Sequence, residues 1–98
     1  MESAPELSVV LPVFNEKDNI LPLCERLLAV LEDQNLSYEV LFVDDGSQDG
    51  SLAMMDMIHH RHPTVGYLAL SRNFGHQTAL MAGLQHARGT LVITMDGD

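Results

Sequence analysis

The chain has 98 residues, 46% of them hydrophobic, and a formal net charge of −9 at pH 7. That length makes one small domain or part of a larger one. No apolar stretch approaches the roughly 20 residues that cross a bilayer, and the surplus of acid excludes unaided binding to nucleic acid or anionic lipid.

Met1 to Glu6 is acidic and reads as a frayed leader, not as a signal peptide. Leu7 to Val13 is the first strand, and Pro12 near its exit predicts that pairing stops there. After Phe14-Asn15-Glu16, Asp18 or Asn19 caps the first helix, which places Pro22 in its first turn, where a missing N–H does little harm. Ile20, Leu23 or Cys24, Leu27 and Leu31 recur at helical spacing as its inner face. As the one cysteine, Cys24 rules out an internal disulfide, fits a reducing cytoplasmic compartment, and reads as an apolar filler.

Tyr38 to Val43 is the second strand. Its run of four apolar residues predicts burial on both faces, and it breaks off abruptly into Asp44-Asp45-Gly46-Ser47. Ser47 or Asp49 caps a second helix with Leu52, Met55 and Ile58 inward and Pro63 beyond its end. Val65 to Leu70 is the third strand, and Ser71 to Gly75 is a loop. His76 to Ala87 is a third helix, with Leu80, Gly83, Leu84 and Ala87 on an inner face small enough for close approach to a sheet; Gly89 stops it. The fourth strand, Leu91 to Met95, runs into Asp96-Gly97-Asp98. Such alternation predicts an α/β fold: a Rossmann-like parallel sheet, right-handed crossovers, and helices on both faces. The sheet order expected is third-second-first-fourth.

Acid pairs at the carboxyl ends of buried parallel strands lie where open α/β sheets bind ligands. Asp96 and Asp98, with Gly97 keeping the turn tight, suit one hard cation completed by substrate phosphates; the bland alternative is an acidic surface turn. Asp44 and Asp45 can accept hydrogen bonds from a base or a ribose, or they form a helix-capping turn, and both can hold at once. His59, His60 and His62 match no zinc spacing and suit the negative end of a helix dipole. Met54, Met55 and Met57 read as helix packing.

Val10 to Glu16, Val43 to Ser47, Arg72 to Gly75 and Met95 to Asp98 together resemble, in order, the motifs of family 2 inverting glycosyltransferases. Within that family the chain is most similar to the dolichol- and undecaprenyl-phosphate sugar transferases. The resemblance covers nearly the whole chain. It implies the nucleotide-binding half of a GT-A fold, a UDP- or GDP-sugar donor, Mg²⁺ or Mn²⁺, and a polyprenyl-phosphate acceptor at the cytoplasmic face of a membrane. On that resemblance Pro12, Phe14 and Glu16 line the nucleoside pocket, with Phe14 where tyrosine is frequent. Asp45 contacts the base with Asp44 close by, Asp96 faces the nucleotide, and Asp98 holds the cation. Arg72 and His76 approach phosphate or sugar. The family continues past this point into an acceptor half carrying the catalytic base, so residues 1–98 read as a truncated donor half, inactive alone and self-associating through an exposed sheet edge. The rival readings are a phosphoacceptor receiver domain, weakened because Lys17 is the sole lysine, and an inert structural fragment. A dinucleotide oxidoreductase lacks its glycine-rich turn.

Overall fold

The computed structural model describes residues 4–95. Strands β1 (Leu7–Val13), β2 (Tyr38–Asp44), β3 (Val65–Ala69) and β4 (Leu91–Thr94) alternate with helices α1 (Lys17–Asp33), α2 (Ser51–Arg61) and α3 (His76–His86). All strand pairs are parallel, in the order β3-β2-β1-β4. The expected α/β sheet and its strand order are both present.

The central pair β1–β2 carries the core because neither strand has a wet face. Leu7, Val9, Leu11 and Val13 pack with Val40 and Phe42 against Ile20, Cys24, Leu28 and Leu31 of α1 and Met55 and Ile58 of α2. The opposite face is slimmer: Val10 and Val43 meet Ala79 of α3. Each large aliphatic or aromatic side chain buried here stabilises the fold by about 1.5–3 kcal/mol. A Cβ on Gly83 would lie 2.4 Å from Val10 Cγ1 and 2.9 Å from Val43 Cγ2, so α3 sits on the sheet only because that position is glycine. Burial pushes the Cys24 thiol up to about 11, which leaves it protonated and inert.

Four expectations change in detail. Pairing continues past Pro12 on the β2 side, through Pro12↔Val43 and Val13↔Asp44, but ends at Val10↔Thr94 on the β4 side. Val10 faces β4, accepting the Met95 N–H through its carbonyl at 2.9 Å. Pro12 has the same parity, so its missing N–H falls where pairing has already ended. Helix α1 starts earlier than expected, leaving Pro22 inside it. Side chains and carbonyls from outside α1 supply its cap: Asp49 accepts the Lys17 N–H at 3.1 Å, and the Glu16 carbonyl accepts those of Asn19 and Ile20. Helix α2 has Gly50 at its N-cap, φ 95°, and Asp49 acts from one residue before, accepting the Ser51 N–H at 3.0 Å. Finally, Leu28 replaces Leu27 in the buried stripe of α1, and Leu52 and Leu84 are exposed while Ser51 and Ala79 are buried.

At the amino end of the sheet, Glu39 ties three elements together. It accepts the Ser8 hydroxyl at 2.6 Å and the Arg88 N–H at 2.7 Å, and Ser8 Oγ in turn accepts the Gly89 N–H at 2.7 Å. Burial alone would raise the Glu39 carboxyl, but the Arg88 amide, the Ser8 hydroxyl and the Arg88 guanidinium outweigh it and hold it below its ordinary 4.5. A carboxyl lowered by folding adds stability above its unfolded value and loses it as pH falls through the folded one. Urea midpoints should therefore drop as pH falls below 4.5, and Glu39→Gln should lose stability at neutral pH while flattening that acid limb.

Candidate active site: the carboxyl rim

Three loops meet at the carboxyl ends of β1, β2 and β3. The first follows β1 and is fixed by the second. Asn15 donates its N–H to Ser47 Oγ at 2.8 Å, its Oδ1 accepts the Gln48 N–H at 2.9 Å, and Glu16 donates its N–H to Ser51 Oγ at 3.2 Å. Asn15 holds φ at 52°, a left-handed angle that asparagine tolerates better than most residues. These ties were not read from the sequence. The signal available was the density of Asn, Ser and Asp in both turns.

Asp44 and Asp45 are 2% and 4% exposed, yet they point to opposite faces because successive strand residues alternate. Asp44 lies on the α1/α2 side, where its Oδ2 accepts the Ser47 N–H at 3.3 Å. Its Oδ1 is buried with no hydrogen-bond partner among the described residues. Leaving a buried carboxylate oxygen unpaired costs about 1–3 kcal/mol or more, so this atom calls for a donor beyond those the described residues supply. Asp45 lies on the α3 side, and both its oxygens are engaged: Oδ1 by the Phe74 N–H at 2.8 Å, Oδ2 by the Gly75 N–H at 3.1 Å.

Two clefts flank this ridge. One, of about 280 Å³, is lined by Pro12, Val13, Phe14, Asp45, Asn73, Gly75 and His76. The other, of about 330 Å³, runs along Asp44, Gly46 and Ser47 to Arg72, with Phe14 and Asn73 shared between the two. Phe14 is 43% exposed, an open ring at the boundary that a flat ligand can stack on. Arg72 sets its guanidinium 4.7 Å from the centre of the Phe74 ring. Of the expected site residues, Pro12, Phe14, Asp44, Asp45, Arg72 and His76 therefore gather at this rim. Glu16 stands apart from both clefts, its carboxylate accepting from Asn19 Nδ2 at 2.6 Å at the start of α1. Asp96 and Asp98, the expected cation ligands, lie outside the described residues. Among those described, no cluster of three or more His, Cys, Asp or Glu side chains is placed to hold a metal. His59 and His60 instead direct Nδ1 to the carbonyls of Val65, at 2.6 Å, and Asp56, at 2.8 Å.

An open parallel sheet with buried carboxylates and an exposed ring on its carboxyl rim defines an α/β domain of the nucleotide-binding type. Residues 8–98 match the model described as glycosyl transferase family 2, and the chain belongs to that family. It is 42% identical over 93 residues to an uncharacterized glycosyltransferase of Synechocystis sp., covering 95% of this chain and 29% of that protein. It is 41% identical over 93 residues to the undecaprenyl-phosphate 4-deoxy-4-formamido-L-arabinose transferase of Edwardsiella ictaluri, covering 94% of this chain and 29% of that one. The chain thus spans under a third of the length of these relatives. Among solved structures it superimposes on a Pyrobaculum calidifontis mannosyltransferase in complex with GDP-Man and Mn²⁺, with a TM-score of 0.75 and 29% identity over 98% of this chain and 28% of that one. Staphylococcus aureus TarS residues 1–349 in complex with UDP also gives a TM-score of 0.75, at 27% identity over 95% of this chain and 27% of that one. The GT-A type of fold expected from the motifs is the fold present, and family membership removes the receiver-domain reading.

Gly46 is the steric centre of the rim. It sits at φ 79°, and a Cβ there would lie 2.3 Å from the Arg72 carbonyl carbon and 2.4 Å from the Asn73 nitrogen. Gly46→Ala adds a left-handed penalty of about 1–2 kcal/mol to an overlap with backbone that cannot rotate away. The expected outcome in urea denaturation is a loss of more than about 2 kcal/mol, against about 1–2 kcal/mol for alanine at Gly50, which shares the left-handed angle but whose Cβ would meet only the Lys17 side chain, at 3.4 Å.

Proposed function

We propose that this chain is the donor-binding half of a glycosyltransferase that moves a sugar from UDP or GDP to a polyprenyl phosphate, with inversion at the sugar. The observation that carries the reading is the buried Asp44 Oδ1, without a partner among the described residues, beside a cleft walled by Phe14 and Arg72. A nucleoside brings what these groups lack: a flat face for Phe14 and an N–H or ribose hydroxyl for Asp44. Pro12 shapes the wall behind Phe14, and His76 and Arg72 lie toward the phosphate or sugar, while Glu16 stays outside the pocket at the start of α1. The relatives' names support the polyprenyl-phosphate acceptor, and the neighbours bound to GDP-Man and UDP support the donor.

In the transfer, a phosphate oxygen of the acceptor attacks the anomeric carbon as the bond to the nucleoside diphosphate breaks. The leaving group departs with that electron pair, and one displacement inverts the centre. An acceptor phosphate that is already ionised has no proton to lose; otherwise a base must take it. Mg²⁺ or Mn²⁺, held by Asp96 and Asp98, would screen the diphosphate from the carboxylates of the rim. The neighbour that contains Mn²⁺ supports a cation of this kind. With a nucleotide sugar as donor and a lipid phosphate as acceptor, the reading puts the activity at the cytoplasmic face of a membrane. No helix among the described residues is long and apolar enough to cross one. Sugar transfer is expected of the longer protein and not of these 98 residues alone.

Titration calorimetry of the 98-residue chain with UDP and GDP, with and without Mn²⁺, tests the donor reading. Weak, cation-dependent binding that Asp98→Ala weakens further is the expected result. Tight binding without metal would remove the cation from the site.

Leu91 and Ile93 of β4 are 61% and 43% exposed. An apolar edge strand of this kind favours pairing with another chain. Light scattering should show dimers or larger assemblies at high micromolar concentration, shifting to monomer when Ile93 is changed to Lys.

A further inference from the structure

Phe14 is 43% exposed, so packing does little to orient its ring. Its backbone is held instead, on both sides, by the turn that follows β2. Before it, the Val13 carbonyl accepts the Asp45 N–H at 2.9 Å. After it, Asn15 gives its N–H to Ser47 Oγ at 2.8 Å and takes the Gln48 N–H on Oδ1 at 2.9 Å. Glu16 and Lys17 carry the pattern on, their N–H groups going to Ser51 Oγ at 3.2 Å and Asp49 Oδ2 at 3.1 Å. Residues 13–17 are thus laced to residues 45–51, and the Phe14 ring stands out from the laced segment where the two clefts meet.

We propose that Asn15 is a positioning residue for the nucleoside, acting through Phe14 and not by contact. It fixes the backbone from which the Phe14 ring meets the base. Position 15 makes two demands that few residues satisfy together. Its φ of 52° is left-handed, which glycine, asparagine and aspartate tolerate. Its side chain must also offer an acceptor to the Gln48 N–H, which glycine lacks. Ser47 completes the lacing. Its Oγ takes the Asn15 N–H while its own N–H goes to Asp44 Oδ2 at 3.3 Å, so the segment that bears the ring is set against the turn that bears the acids. A ring on a backbone already ordered loses little freedom when a base stacks on it, and that lower entropic cost appears as affinity.

This role rests on the nucleotide reading above. Its test uses the 98-residue chain in Mn²⁺ with UDP, GDP and inorganic pyrophosphate, the last a diphosphate with no base. Asn15→Gly keeps the left-handed angle and removes the acceptor. It should weaken nucleotide binding by about five- to tenfold and leave pyrophosphate unchanged. Asn15→Asp restores the acceptor. Measured relative to pyrophosphate, so that its added charge cancels, it should return nucleotide affinity to within about twofold of the unaltered chain. The deciding comparison is made in Phe14→Ala. There Asn15→Gly should cost no further nucleotide affinity, although it lowers the urea midpoint as much as it does with the ring present. A role confined to the fold gives the same loss of affinity with and without the ring, or a parallel loss for pyrophosphate, and either result overturns the proposal. Hydrogen exchange checks the lacing without any ligand: the Gln48 amide should exchange faster in Asn15→Gly and recover in Asn15→Asp, and unchanged rates sink it. The nucleotide reading fails differently, in the unaltered chain. If UDP and GDP bind no more tightly than pyrophosphate, there is no nucleoside for Asn15 to position, whatever the variants do to the Gln48 amide.

Discussion

The central strands β1 and β2 are packed on both faces, and nearly everything else in the domain follows from that. A strand without a wet face has no position for an unpaired polar side chain along its length. Ser8 is the exception within β1, and it is satisfied on both counts, donating to Glu39 and accepting from Gly89. Polar chemistry is thereby displaced to the strand ends, and the two ends are used differently. At the amino end, Glu39 closes a structural clasp with Ser8 and Arg88. At the carboxyl end, Asp44 and Asp45 are held where the sheet opens into loops. Parallel pairing brings the carboxyl ends of all four strands to one edge, so the chain needs only short turns to assemble a site from distant segments.

Much of this was legible in the sequence because the signals were redundant. Val40 to Val43 could not be a solvated strand, the three helices carry periodic apolar faces, and Gly83 falls where α3 must approach closely. Four motifs in order carried the family. What the sequence did not disclose were choices made by partners far along the chain. Helix α1 begins upstream of the start the sequence suggested, enclosing Pro22, because Asp49, on another loop, and the Glu16 carbonyl take the first N–H groups. Leu52 and Leu84 satisfy a helical period yet stay exposed, because Ser51 and Ala79 lie closer to the sheet. Periodicity locates a face to within about one residue, and a helix of three turns leaves that residue undecided.

The acid pair shows the same limit more sharply. Adjacent aspartates at a strand exit look equivalent in a sequence, and alternation says only that they diverge. Which of them has both oxygens taken by loop amides and which has only one depends on Phe74 and Gly75, about 30 positions later. Glu16, by contrast, stands in the first motif but turns to the helix beside it.

The two faces of the sheet are also unequal, and this bears on how the molecule moves. The α1/α2 side holds most of the buried apolar mass, while α3 rests on Val10 and Val43 through Ala79 and Gly83. Cooperative units with the least buried area open at the lowest free energy. The face with the slimmer packing is also the one that leads out of the Arg72–Gly75 loop. Ease of opening in this domain is therefore polarised: α3 lies on the lighter side, while the loop before it stays tied to Asp45. The rim is thus backed unevenly, by the heavier packing behind Phe14 and Asp44 and by the lighter packing beneath α3.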